Sequence, residues 1–167
     1  MSGLIFKECG AEFSAGRDYR YSLFRRWGTS GRMCNFLMLN PSTADENDND
    51  PTVERCERRA HEMGYDGLVV TNIFALRSTD PRYMLRNEYP VGAENDAHVV
   101  RHATESAIVI CAWGKDGGHR GRSSEIKKLL SGVDLYALKV SPKTGEPFHP
   151  LYLSYKLAPF LWRERQC

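Results

Sequence analysis

Long hydrophobic runs are missing from this 167-residue chain. The longest purely apolar stretch, Ala107 to Trp113, is seven residues, whereas a membrane-spanning helix needs about twenty. The N-terminus also lacks the apolar core of a signal peptide, so a cytoplasmic protein without a membrane partner is expected. Cysteine pairs are absent too. Cys9, Cys34, Cys56, Cys111 and Cys167 are odd in number, scattered, and never spaced C-x-x-C, which argues against a disulfide framework, a zinc site or an iron–sulfur cluster. Free thiols, no cofactor and no metal are expected. No internal repeat, low-complexity tract or long linker divides the chain, so residues 1–167 are read as a single domain, with no obligate protein partner and a monomeric state.

An excess of charge of one sign is likewise lacking, at +2 overall, but the charges are unevenly spread. From Pro41 to Asp66 eight acids stand against three arginines, and from Trp113 to Cys167 ten lysines and arginines stand against five acids. Local basic clusters, rather than net charge, govern approach to a phosphate backbone, so the C-terminal third suits a polyanion as well as it suits plain solvated surface.

Alternation marks a strand over Tyr19–Phe24, and short continuous apolar runs mark strands over Asn35–Leu39, Leu68–Ile73 and Ile108–Ala112. Helical patterns cover Thr52–Met63, Glu94–Ser106 and Ser123–Leu130; a fifth strand, Val133–Leu138, and a last helix beginning near Tyr155 complete the chain. Continuous apolar runs alternating with helices predict an α/β fold, a three-layer α/β/α sandwich around a central, mostly parallel sheet of four to five strands. Sites in such sheets lie beyond the carboxyl ends of the strands. The chemically suggestive residues follow those ends: Asn40-Pro41-Ser42-Thr43-Ala44-Asp45, Asn72 with Arg77-Ser78-Thr79-Asp80, Trp113-Gly114, and Phe148-His149-Pro150. Two amides, a histidine, hydroxyls and a carboxylate beside Phe74 and Trp113 are the equipment of a nucleobase pocket. Each also has a plainer role as a turn former, a cap or sheet-edge core.

Other motifs are weaker. Gly114 to Arg122 is glycine-rich and basic, but no Gly-Lys-Ser or Gly-Lys-Thr follows at P-loop spacing. His98 and His102 lie four apart on a predicted helix, a spacing that can hold a metal, yet no third ligand completes a zinc motif in sequence, so they read as helix-face histidines.

These strings resemble the uracil-DNA glycosylase superfamily. Leu39-Asn40-Pro41-Ser42 is similar to the Asn-Pro form of its first motif in the mismatch-specific branch. Val70 to Arg77 resembles the T-N-x-x-x-x-R-P segment of the thermostable branch, and His149-Pro150-Leu151-Tyr152-Leu153-Ser154 resembles its H-P-S-P-L-S loop. The chain also looks like a bacterial and phage domain family of mostly unknown function, marked by N-P-S-T-A-D, T-N-x-F and H-P-L-Y-L. The first resemblance implies a uracil-DNA-glycosylase-like fold and a monofunctional DNA glycosylase acting in repair or phage defence. Leu39 replaces the motif's glycine, Asn40 stands where the strongest branch has aspartate, and Ser42 replaces the aromatic gate, which leaves room for a C5-enlarged pyrimidine. The resemblance assigns catalysis to Asn40, with a water, and to His149, which would stabilise the departing base. Asp45, with Asp96 as second choice, is the expected general base. Ser42, Asn72, Phe74 and Trp113 would bind the base. Lys115, Arg120, Arg122, Ser154 and Lys156 would grip DNA phosphates, while Leu151 and Tyr152 wedge into the stack. Hydrolysis or binding of a free modified nucleotide, and a non-catalytic nucleic-acid-binding module, are the rival expectations.

Overall fold

The computed structural model describes residues 8–167. Its sheet has seven strands: β1 (Glu8–Phe13), β2 (Arg20–Arg26), β3 (Met33–Met38), β4 (Gly67–Asn72), β5 (Ile108–Ala112), β6 (Leu135–Ala137) and β7 (Phe160–Arg163), in the order β1-β2-β4-β3-β5-β6-β7. Four α-helices intervene: α1 (Pro51–Glu62), α2 (Pro81–Arg86), α3 (Asn95–Glu105) and α4 (Arg122–Leu129). β3 and β4 are buried along their whole length. That burial is why their sequences read as unbroken apolar runs.

The expected mostly parallel sheet of four to five strands, and the uracil-DNA-glycosylase-like fold attached to it, is corrected: the sheet is seven-stranded and mixed. β4-β3, β3-β5 and β5-β6 pair parallel, whereas β1-β2, β2-β4 and β6-β7 pair antiparallel. The turn between Phe13 and Arg20 explains the first reversal. Ser14 and Tyr19 close it through backbone and side-chain hydrogen bonds, with Arg17 left-handed at φ 62°, and so short a connection can only return the chain antiparallel. β1 escapes sequence reading because Glu8-Cys9-Gly10-Ala11-Glu12 offers no branched apolar residue, and it lies exposed at the sheet edge. The helix expected near Tyr155 is instead a loop leading to β7, whose Phe160 and Leu161 remain exposed on the other edge.

Helices cover both faces. On one, α1 sets Val53, Cys56 and Ala60 against Leu23, Phe36, Val70 and Ile110. On the other, Val99 and Ala103 of α3 and Ile126 of α4 join Leu37, Ile73, Val109 and Cys111. Asp50 starts α1: its carboxylate accepts the Val53 N–H at 2.9 Å, and Pro51 supplies a first turn with no donor to satisfy. Cys34, Cys56 and Cys111 are buried free thiols, pushed up in pKa by desolvation, and Cys9 and Cys167 are exposed free thiols. Among the described residues, no helix is long and apolar enough to cross a membrane.

Candidate functional site

The carboxyl ends of β3 and β4 open on a small cavity of about 40 Å³, lined by Arg20, Met38, Asn40, Pro41, Ser42, Asp50, Thr52, Val53, Asn72 and His149. Four residues expected from sequence, Asn40, Ser42, Asn72 and His149, thus meet at one place. β3 and β4 run parallel and in register, Met38 opposite Asn72, so residues just past each strand emerge side by side.

Each polar group there is oriented by its partners. Asn40 donates through Nδ2 to the carbonyls of Pro41 and Ser78 at 3.2 and 3.0 Å, which ties the two loops together and leaves Oδ1 as its acceptor for a ligand or water. Aspartate at this position would set a carboxylate against two carbonyls. Asn72 is buried, its main-chain carbonyl held by the Asn95 amide at 2.8 Å and its Oδ1 by Arg20 Nη2 at 3.2 Å. Its amide nitrogen is the group left to donate.

His149 accepts the Leu151 N–H at Nδ1, 3.3 Å away. Burial pushes its pKa below the ordinary histidine value, with Asp50 pulling weakly the other way. A neutral ring that accepts at Nδ1 carries its proton on Nε2, so His149 presents an N–H donor. Its loop is clamped to α1, because Arg55 and Arg59 each donate to the Leu153 carbonyl at 2.7 Å. Asp50 at the start of α1 and His149 are therefore positioned by the same helix.

Two of the cavity's charged residues had no sequence signal. Arg20 is wholly buried, donating to the Ala44 carbonyl at 3.1 Å and to Asn72, with Nε unpartnered. Burial lowers its pKa to about 10, opposed by the Asp50 charge, so it stays a cation at neutral pH. Asp50 is the carboxylate that faces the cavity. The sequence shows it only as the residue ahead of Pro51, where the helical pattern puts the start at Thr52.

Several expected site residues lie elsewhere. Asp45 closes a turn, accepting the Asn47 and Asp48 N–H groups, which hold its carboxyl below the usual range. Asp96 pairs with Arg122 at 2.6 Å. Phe74 and Trp113 are core, not stacking surfaces, each 1% exposed. Trp113 donates to Glu146 and meets Trp162 edge-on at 5.7 Å. Arg122 is buried as well, donating to the Ile73 carbonyl, Asp96 and Glu125. Arg120, left-handed at φ 54°, is pinned on the carbonyls of Asn87 and Glu88. One glycine of this loop serves packing: a Cβ on Gly117 would lie 1.9 Å from the Trp113 ring. Lys115, Ser154, Lys156 and Tyr152 are exposed and Leu151 half-buried, Tyr152 standing 93% in solvent just after His149.

Beside the cavity, and sharing Ser42 with it, runs an open groove of about 660 Å³ lined among others by Arg17, Tyr19, Arg77, Ser78, Thr79 and Tyr83. Arg17 and Arg77 both lie over the Phe13 ring, at 3.8 and 4.9 Å, and Tyr83 is 55% exposed. Asp18 also lines it, and Arg17 is paired with both Glu46 carboxylate oxygens at 3.1 and 2.7 Å, so the groove is polar and aromatic-edged, with Arg77 as the cation that no carboxylate pairs among the described residues.

A buried cation, a carboxylate, two oriented amides and a neutral imidazole donor thus gather past the ends of the parallel strands, around a cavity of the scale of one or two waters that shares Ser42 with the larger groove. The chain belongs to the family described as protein of unknown function (DUF1643), whose model matches residues 20–151, a span that includes all the residues lining the cavity. No curated protein and no solved structure matches it.

Proposed function

We propose that the protein hydrolyses the N-glycosidic bond of a modified pyrimidine in DNA, leaving an abasic site. One observation carries this reading: Asn40, Asn72 and His149, the residues matched to the uracil-DNA glycosylase motifs, line one cavity with His149 held as a neutral Nε2–H donor. The reading rests on those side chains and not on the sheet.

In the reaction a water bound to Asn40 Oδ1 attacks C1′ of the sugar as the bond from C1′ to the base nitrogen breaks. The bonding pair leaves with the base, whose O2 is stabilised by the His149 N–H. Asp50 takes the water's proton, and its charge also favours the positive sugar of the transition state. Asn72 donates to the base edge. Ser42, at the mouth between cavity and groove, leaves the C5 side of the ring unobstructed. The groove carries the neighbouring sugar-phosphates past Arg77, with Tyr83 stacking on a base and exposed Tyr152 filling the gap left by the flipped one.

A free modified nucleotide is the second reading. It is favoured by the burial of Arg122 and the pinning of Arg120, which remove two cations from the expected DNA grip.

The deciding experiment incubates the protein with DNAs carrying ordinary, deaminated and C5-modified pyrimidines and, in parallel, with the corresponding free nucleotides. Released bases are measured by mass spectrometry and abasic sites by alkali cleavage. Release that disappears in Asp50→Asn, where asparagine still caps α1, supports the glycosylase. Release only from free nucleotides supports the second reading, and release from neither overturns both.

A further inference from the structure

His98 and His102, one turn apart on α3, gain a third neighbour from a strand 86 residues earlier in the chain than His98: Glu12 of β1. The ligand atoms of the three lie within 4.8 Å of one another, and they are the one such group of three His, Cys, Asp or Glu side chains among the described residues. Glu12 stands 3.8 Å from His98 Nδ1 and 3.8 Å from His102 Nε2. Tetrahedral zinc with bonds of about 2.0–2.2 Å sets its donors roughly 3.4 Å apart, so small side-chain movements would close the set.

The surroundings suit a metal. His98 Nδ1 is buried without a hydrogen-bond partner, a cost that a ligand would relieve. Its ring is held flat on Tyr21, centroids 4.9 Å apart. The placement comes from an irregularity in the hairpin: Glu12 pairs with Ser22 but Phe13 with Arg20, leaving Tyr21 as an extra residue in β2. Such a bulge re-aims side chains, here turning Tyr21 toward α3 while Ser22 donates to Glu12 at 3.2 Å. The competitor is Arg101, whose Nη2 lies 2.6 Å from Glu12 and 3.1 Å from His102 Nε2. Its side chain is 47% exposed, free to swing into solvent when a dication enters.

We infer that Glu12, His98 and His102 form a site for a divalent transition-metal ion of the zinc class, with a fourth position open to solvent and Arg101 as its displaceable gate. Two imidazoles and one carboxylate select borderline metals over calcium or magnesium, which prefer all-oxygen shells. The ion would staple the edge strand β1 to α3, apart from the cavity residues.

The test uses chelator-treated full-length protein titrated with zinc chloride, and with cobalt(II) for its visible absorption. One equivalent is expected to bind, with d–d bands of a nitrogen–oxygen site and a thermal midpoint raised by about 5–10 °C at a hundredfold excess over Kd. Glu12→Gln and His102→Ala should each abolish stoichiometric binding. Arg101→Ala should bind roughly tenfold tighter, because a competing cation is gone. Absence of stoichiometric binding in both wild type and Arg101→Ala overturns the proposal. So does binding that survives Glu12→Gln and His102→Ala but is lost with Cys9→Ser or Cys167→Ser.

Discussion

Two arginines are buried at the same end of the sheet, and they do different work. Arg122 is met by two carboxylates and a carbonyl, Asp96 at 2.6 Å, Glu125 at 3.2 Å and Ile73 O at 2.8 Å. Its charge is matched inside the protein, and it braces the start of α4 against β4 and α3. Arg20 donates only to neutral acceptors, Ala44 O and Asn72 Oδ1, keeps a buried Nε unpartnered, and looks onto a cavity that also holds Asp50. A buried charge satisfied by neighbours is architecture; one left partly unmatched beside a cavity is available to a ligand.

The largest test of that contrast is chemical. Asp50→Asn should lower base release by about 10²–10⁴-fold, the range for a lost general base, with a smaller fall in thermal midpoint, because asparagine can still accept the Val53 N–H that caps α1 but turns a donor toward the Ala44 N–H at 3.4 Å. Asp96→Asn, on the braced side, should leave release unchanged. Equal losses in both variants would erase the distinction. Next, His149→Gln should cost roughly 10²–10³-fold, as for a lost oxyanion donor. With the ring pKa held below 6.5 by burial, wild-type activity should persist into mildly acidic buffer where an ordinary histidine would already be charged.

The same shift has a stability consequence. His149 and His102 both titrate below their unfolded value of 6.5 in the folded chain. As pH falls through 6.5 the unfolded chain binds protons first, so the stability these rings contribute is complete above 6.5 and lost toward their lower folded values. Thermal melts between pH 7.5 and 5 should show the midpoint falling through that window, less steeply in His149→Gln.

A third comparison sets the arginines against each other directly. Arg122→Leu should destabilise the fold by about 1–3 kcal/mol, because the buried Ile73 carbonyl loses its shorter, charged donor and keeps only the Asn95 amide at 3.3 Å, while the activity of the protein that remains folded is unchanged. Arg20→Leu should lose activity out of proportion to its melting temperature. Urea melts paired with rate measurements distinguish the two. The smallest effect is on binding. Arg77→Gln should weaken oligonucleotide affinity and reduce the slope of log K against log salt by about 1, whereas Arg120→Gln should leave that slope unaltered.

How much of this was legible depended on whether the signal was local. The runs that became β3, β4 and β5 are continuous and apolar, so their ends, and with them Asn40 and Asn72, could be located from sequence. Phe74 and Trp113 were read as stacking surfaces because they follow strands. Whether such a ring faces a cavity or the core depends on what packs over it, here Glu146, Trp162 and the turn at Gly117. The basic loop misled for the same reason: composition counts charges but not their partners, and Arg120 and Arg122 find theirs on residues from 73 to 125.

By itself, then, the sequence determined the alternation of buried strands and amphipathic helices and the polar loops that leave the parallel strands on one side, because both follow from short-range periodicity. Only the tertiary structure decided that the sheet is mixed and extended at both edges, that Arg20 and Asp50 enter the cavity while Asp45 and Arg122 do not, and that Glu12 comes to stand beside His98 and His102. Each of those depends on pairing between segments far apart in the chain, where the energy lies in burial and partner geometry that no local pattern encodes.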